Sequence, residues 1–191
     1  MSETIRSFIA AEISEQQITR RISEIQDLIA ATGADLRAVQ PQNVHVTIRF
    51  LGEIPAPVVE EVKREMNEIV FNEFQTIMRG VGAFPNLRRP NVVWIGMSEG
   101  ASELRQIHAQ IEPRVRSIGL PSDNKGFNPH ITIARVRSGR NTQELARAIS
   151  EMETTEVGTM KVSKIALKRS VLTPRGPIYS TLFEKHAVSK P

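Results

Sequence analysis

The residues best suited to chemistry in this 191-residue chain lie in two short stretches that read alike, His45-Val46-Thr47-Ile48 and His130-Ile131-Thr132-Ile133. Each sits in a run that alternates β-branched and polar positions, the pattern of a half-buried strand. Successive strand side chains point to opposite faces, so each histidine shares a face with the threonine two places on. An imidazole and a hydroxyl are thus offered together, twice. The chain has four histidines, and two of them occupy this setting. A single histidine or threonine in a strand is ordinary packing, but the duplication marks a pair of half-sites. His108, at the edge of a helical apolar stripe, and His186, in the tail, read as structural or solvated.

Two imidazoles facing each other across a groove suit a reaction that takes one proton and gives another. With an ordinary pKa of about 6.5, one ring can be neutral while the other is charged near neutral pH. The threonine hydroxyls supply neutral donors for an oxyanion with several non-bridging oxygens, such as phosphate. No metal is expected, because two histidines without a third ligand at suitable spacing are too few for zinc, and Asp123 is only a loop residue. No cofactor is expected either: no phosphate-binding Gly-rich loop, dinucleotide fingerprint or nucleophile elbow occurs. With no cysteine, disulfides, thiolate metal sites and a cysteine nucleophile are excluded.

The elements that must position these groups alternate between the two periodicities. A first strand is predicted over 4–13. Ser14 with Gln17 reads as a capping box opening a helix whose Ile18, Ile22, Ile25, Leu28 and Ile29 share a face up to Gly33. A short strand over 36–39 leads to the first motif strand, closed by Gly52 and Pro55. A helix over about 57–72, strands over 74–81 and 92–97, and a helix over about 101–118 follow. The loop 121–129 delivers the second motif. Asn141 with Glu144 caps a fourth helix, and a long strand over about 160–172 turns at 174–177 to meet a partner over 178–183. Connections too short for parallel crossovers point to an α+β fold of two pseudo-symmetric lobes with antiparallel sheets, one motif in each half, and a groove between them. Residues 1–191 read as a single bilobal domain.

An apolar fraction of 40% with 24% charged residues describes an ordinary globular chain. No apolar run reaches the ~18 residues of a membrane span, and the N-terminus lacks a signal-peptide pattern, so a cytoplasmic protein with no membrane association is expected. A monomer is the expected state. The net charge of +4 is a mild preference for anionic partners.

The paired motifs resemble those of the two-histidine phosphoesterases, specifically the RNA 2′,3′-cyclic phosphodiesterases known as LigT-like proteins or 2′-5′ RNA ligases. The resemblance extends over Arg6-Ser7-Phe8-Ile9-Ala10, 43–52, the loop and strand 82–96, 127–135 and 170–179. It implies metal-independent opening of RNA 2′,3′-cyclic phosphate ends, tRNA fragments among them, to 2′-phosphates, with reversible 2′-5′ ligation in some members. By resemblance His45 is the general acid, His130 the general base, and Thr47 and Thr132 the phosphate donors. Arg135 falls on the arginine that closes the second motif, although strand parity turns it away from His130 unless the strand ends or bulges first. Arg49 shares the parity of His45 and reads as an extra RNA contact. Phe84 and Phe127 are candidates to stack bases, and Arg88, Arg89 and Lys125 to meet phosphates. Two other readings keep the same fold: a phosphodiesterase for another cyclic phosphate or a 2′-5′ oligonucleotide, and a non-catalytic RNA-binding module.

Overall fold

In the computed structural model, which describes residues 3–123 and 126–188, nine strands form one sheet. They are β1 (Thr4–Glu12), β2 (Leu36–Ala38), β3 (His45–Pro55), β4 (Phe74–Phe84), β5 (Val92–Met97), β6 (His130–Val136), β7 (Glu156–Val162), β8 (Lys164–Thr173) and β9 (Gly176–His186). Eight follow the order β7-β4-β5-β6-β3-β1-β8-β9, with β2 added against β6, and every pairing of these strands is antiparallel. The four helices are α1 (Gln16–Ala30), α2 (Ala56–Asn67), α3 (Ala101–Ser117) and α4 (Thr142–Glu151).

The order resolves into two lobes. β1, β3, β8 and β9 make one, β4 to β7 make the other, and the bridge between them is the pairing of Val46 with Ile131. The two motif strands therefore form the seam. The expected long strand over 160–172 is two strands, broken at Ser163, which serve opposite lobes. Val162 and Lys164 are two residues apart and so within about 7 Å, although β7 is the first strand in the order and β8 the last but one. The sheet must curl to bring them together. Backbone bonds seal the approach, Ala187 N–H donating to Ser163 O at 2.8 Å and Val188 N–H to Phe71 O at 2.9 Å.

Helical faces close the core behind the sheet. Ile18, Ile22, Ile25 and Ile29 of α1 are buried against the second lobe, where α1 meets β6, β7 and α4. Leu28, expected on the same face, is 55% exposed. Conversely α3, which follows a second-lobe strand, buries Leu104, Ile107, Ile111 and Val115 toward α2 and β3. Each lobe is thus backed by a helix whose preceding strand belongs to the other, which ties the two together. The capping box at Ser14 does not form. Glu15 flanks α1 in extended conformation, and its carboxylate accepts the Ser14 N–H at 3.1 Å. Asn141 likewise makes no side-chain cap; its Nδ2 donates to Thr32 O at 3.1 Å, joining α4 to the end of α1.

Candidate active site

Both motif histidines begin their strands, and each is held the same way. His45 Nδ1–H donates to Asn43 O at 2.7 Å, and His130 Nδ1–H donates to Asn128 O at 2.7 Å. A carbonyl cannot donate, so these bonds assign the Nδ1–H tautomer to each neutral ring and leave Nε2 for chemistry. Continuing the antiparallel register from Val46 and Ile131 puts His45 opposite Thr132 and His130 opposite Thr47. Directly opposed residues lie about 4.5–5.5 Å apart, so the four side chains make a two-fold quartet around the seam. His45 Nε2 already meets Thr47 Oγ1 at 2.9 Å.

The two halves differ in their surroundings. His45 stacks on Phe8, with centroids 4.9 Å apart, and takes Tyr179 edge-on at 5.4 Å. Burial pushes its pKa below the ordinary histidine value, the Asn43 carbonyl opposes this, and the nearby Lys168 ammonium lowers it further. Lys168 is buried and paired with Glu12, and it also donates to Thr181 Oγ1 at 2.7 Å. His130 takes Phe84 edge-on at 5.0 Å. Burial raises the Tyr179 phenol, against the pull of the Arg135 and Arg6 charges. Arg135 therefore acts electrostatically on the same aromatic group that contacts His45.

Arg135 reaches that side because β6 bulges. Thr132 pairs with Trp94 and Ala134 with Val93, so Ile133 is an extra residue and the parity inverts after it. Gln26 of α1 supports the distortion: its Nε2 donates to Ile133 O and to Val39 O, both at 2.8 Å. β3 bulges at the equivalent place, with Ala10 paired to Thr47 and Ile9 to Arg49, leaving Ile48 extra. There the consequence for the expected contact is the opposite. Arg49 is turned to the core face and only 6% exposed, which overturns its reading as an RNA contact. Its Nε donates to Glu112 at 2.7 Å, and its other nitrogens donate to Phe50 O and Pro121 O. Burial pushes the Glu112 carboxyl up, but the Asp123 N–H and the Arg49 guanidinium outweigh it and hold the carboxyl below its usual value. Arg49 thereby straps the loop before His130 to the strand that carries His45.

The remaining expected contacts divide. Phe84 lies beside His130, and Arg88 and Arg89 are exposed on the following turn, both backbone N–H groups donating to Asn86 Oδ1. Phe127 does not present a ring to the motif pair as expected; it stacks on His108 at 4.8 Å and packs against the core. Lys125 lies outside the described residues. Unforeseen were the Asn43 and Asn128 carbonyls, Tyr179, Lys168 and Gln26. The asparagines had a legible signal, since the repeat is a longer one, Asn-x-His-x-Thr-Ile, in both halves. Among the described residues no cluster of three or more histidines and carboxylates is arranged to hold a metal ion, and no helix is long and apolar enough to cross a membrane.

The model of the LigT like Phosphoesterase family matches this chain twice, over residues 13–94 and 95–179, with one motif in each match. This chain belongs to that family. An RNA 2′,3′-cyclic phosphodiesterase from Aeropyrum pernix is 43% identical over 88% of this chain and 96% of its own. The protein of the same name from Methanothermobacter thermautotrophicus is 32% identical over 93% and 96%. The fold is that of E. coli LigT, which has a TM-score of 0.79 at 23% identity and aligns over 98% of this chain and all of its own. The chain is accordingly an enzyme of the phosphodiesterase class, built as an α+β curled antiparallel sheet with four helices.

Proposed function

We propose that this enzyme hydrolyses the 2′,3′-cyclic phosphate at an RNA end to a 2′-phosphate, with His45 as general acid and His130 as general base. The observation that carries the reading is the single Val46–Ile131 bridge at the seam, flanked in register by two imidazoles with identical Nδ1–H anchors and two threonine hydroxyls, with His130 near enough to act on His45 electrostatically. His130 Nε2 takes a proton from water as its oxygen forms the new bond to phosphorus. The P–O3′ bond breaks, and His45 Nε2 delivers a proton to O3′. Thr47 and Thr132 donate to the non-bridging oxygens, and Arg135 faces the charge that accumulates there. Phe84 offers a ring to the terminal base beside His130, with Arg88 and Arg89 in reach of the phosphates that precede it.

Support comes from the relatives named above and from the bulge that presents Arg135 on the motif face. The test is incubation with an RNA ending in a 2′,3′-cyclic phosphate, followed by identification of the product. A 2′-phosphate is expected, and His45→Ala and His130→Ala should each reduce turnover by at least ~10²-fold. A 3′-phosphate product would show that the P–O2′ bond breaks instead and would overturn the assignment at the sugar. Full activity in either variant would remove that histidine.

A further inference from the structure

The second lobe carries a groove of about 970 Å³ that no residue of the quartet lines. It begins at Asn128 and Pro129, immediately before His130, and runs over Gly82, Trp94 and Gly96 to the C-terminal end of α4. Its floor is unusual in composition. An ideal Cβ on Gly82 would lie 2.3 Å from the Trp94 ring, and one on Gly96 would lie 3.2 Å from it. The indole is therefore laid across β4 and β5, in space left by two missing side chains. Nε1 is turned into the protein, so the half-exposed part of the ring is hydrocarbon face rather than donor. Such a surface stacks planar groups and does not select them by hydrogen bonding.

The platform continues from the candidate active site. His130 contacts Phe84 at 5.0 Å, and Phe84 contacts Trp94 at 5.2 Å, so the three rings form a row leading away from the seam. Arg79, whose Nε donates to Thr154 O at 3.2 Å, and Arg88 line the groove together with one carboxylate, Glu153, leaving a cationic excess. A volume of this size accepts a nucleotide.

Resting on the proposed RNA substrate, we infer that this groove is the seat of the nucleotide next to the cyclic phosphate end, its base on the Trp94 ring and its flanking backbone phosphates toward Arg88 and Arg79. The enzyme then reads at least two nucleotides, and a cyclic mononucleotide uses only part of its surface. RNA is the occupant to which a flat hydrocarbon ring flanked by guanidinium groups corresponds, since stacking and phosphate pairing must alternate at nucleotide spacing.

Trp94 is the sole tryptophan, so its emission reports the groove directly and independently of turnover. A hexanucleotide ending in a 2′-phosphate should quench it, while 2′-CMP at saturating concentration should not. A labelled hexamer that binds by anisotropy yet leaves the emission unchanged would overturn the inference. In kinetics, Trp94→Leu and Arg79→Ala should lower kcat/KM about tenfold for a hexamer with a cyclic end and less than twofold for 2′,3′-cyclic CMP. Arg79 is exposed, so its replacement guards against a folding defect in the first variant. Parallel losses on both substrates, or no loss on either, would also sink the subsite. If the wild-type enzyme hydrolyses neither substrate, the proposed function fails; the quenching titration still decides whether RNA occupies the groove.

Discussion

At the scale of single residues, the asymmetry between two nearly identical motifs is electrostatic. His45 lies in an aromatic enclosure beside Lys168, and both burial and that ammonium favour its neutral form. The sign is definite: as pH falls below about 6.5 an unfolded histidine takes a proton before the folded His45 does, so this residue's contribution to stability declines as acidity increases through that range. Catalysis as a general acid needs the opposite form. The free enzyme should therefore lose kcat/KM as pH rises through a value below 6.5, because the reactive protonated fraction is disappearing. A bound phosphodiester places negative charge at Nε2 and should move the alkaline limb of kcat to higher pH. Paired pH–rate profiles measure both limbs. If kcat/KM instead holds through neutrality and falls only toward acid, His45 is the base and the two roles exchange.

At the scale of elements, the bulges in β3 and β6 decide which charge meets substrate. A one-residue insertion inverts parity, and the same insertion sends Arg135 out and Arg49 in. Gln26 holds the β6 bulge at the Ile133 carbonyl, whereas Glu112 holds the arginine side chain that the β3 bulge turns inward. If Gln26 acts by holding the β6 bulge, Gln26→Ala and Arg135→Ala should be non-additive in kcat/KM, since the first already misplaces what the second removes. Strict additivity in that double-mutant cycle would separate Gln26 from Arg135. Replacing Arg49 by alanine leaves Glu112 mostly buried without its guanidinium and frees Pro121 O, so chemical denaturation should report a loss of ~3–5 kcal/mol. A loss under about 1 kcal/mol would mean the strap is slack.

At the scale of the whole molecule, the chain is threaded through both lobes more than once. β1 and β3 are completed by β8 and β9 from the C-terminal end, while α1 is buried against the lobe that contains β4 to β7. Sequence halves are consequently not folding halves. A fragment of residues 1–97 contains the whole first motif but leaves β1 without its partner β8 and β4 without β7. Expressed alone it should lack dispersed amide resonances, and co-expression with 98–191 should restore them. A well-folded isolated fragment would refute this dependence of each lobe on the other's chain.

Periodicity and composition were sufficient for the α+β class, for the strand character of both motifs and for the histidine–threonine faces, because alternation over a few residues is a local property. The spacing of apolar residues located all four helices to within a few positions, although Leu28 faces solvent, Ser14 pairs with its neighbour Glu15 in place of a cap, and Asn141 turns to a tertiary contact with Thr32. Register was not legible. Nothing between Glu156 and Thr173 distinguishes one long strand from two that part at Ser163, since both are β-rich and only their distant partners differ. The bulges were equally hidden: an extra residue is defined by the count on a neighbouring strand, and His45-Val46-Thr47-Ile48 reads the same with or without one. The sequence by itself determined which groups can exchange protons around a phosphate. Only the tertiary structure decided which arginine faces them, because the side of a sheet that a residue occupies depends on how its strand is paired.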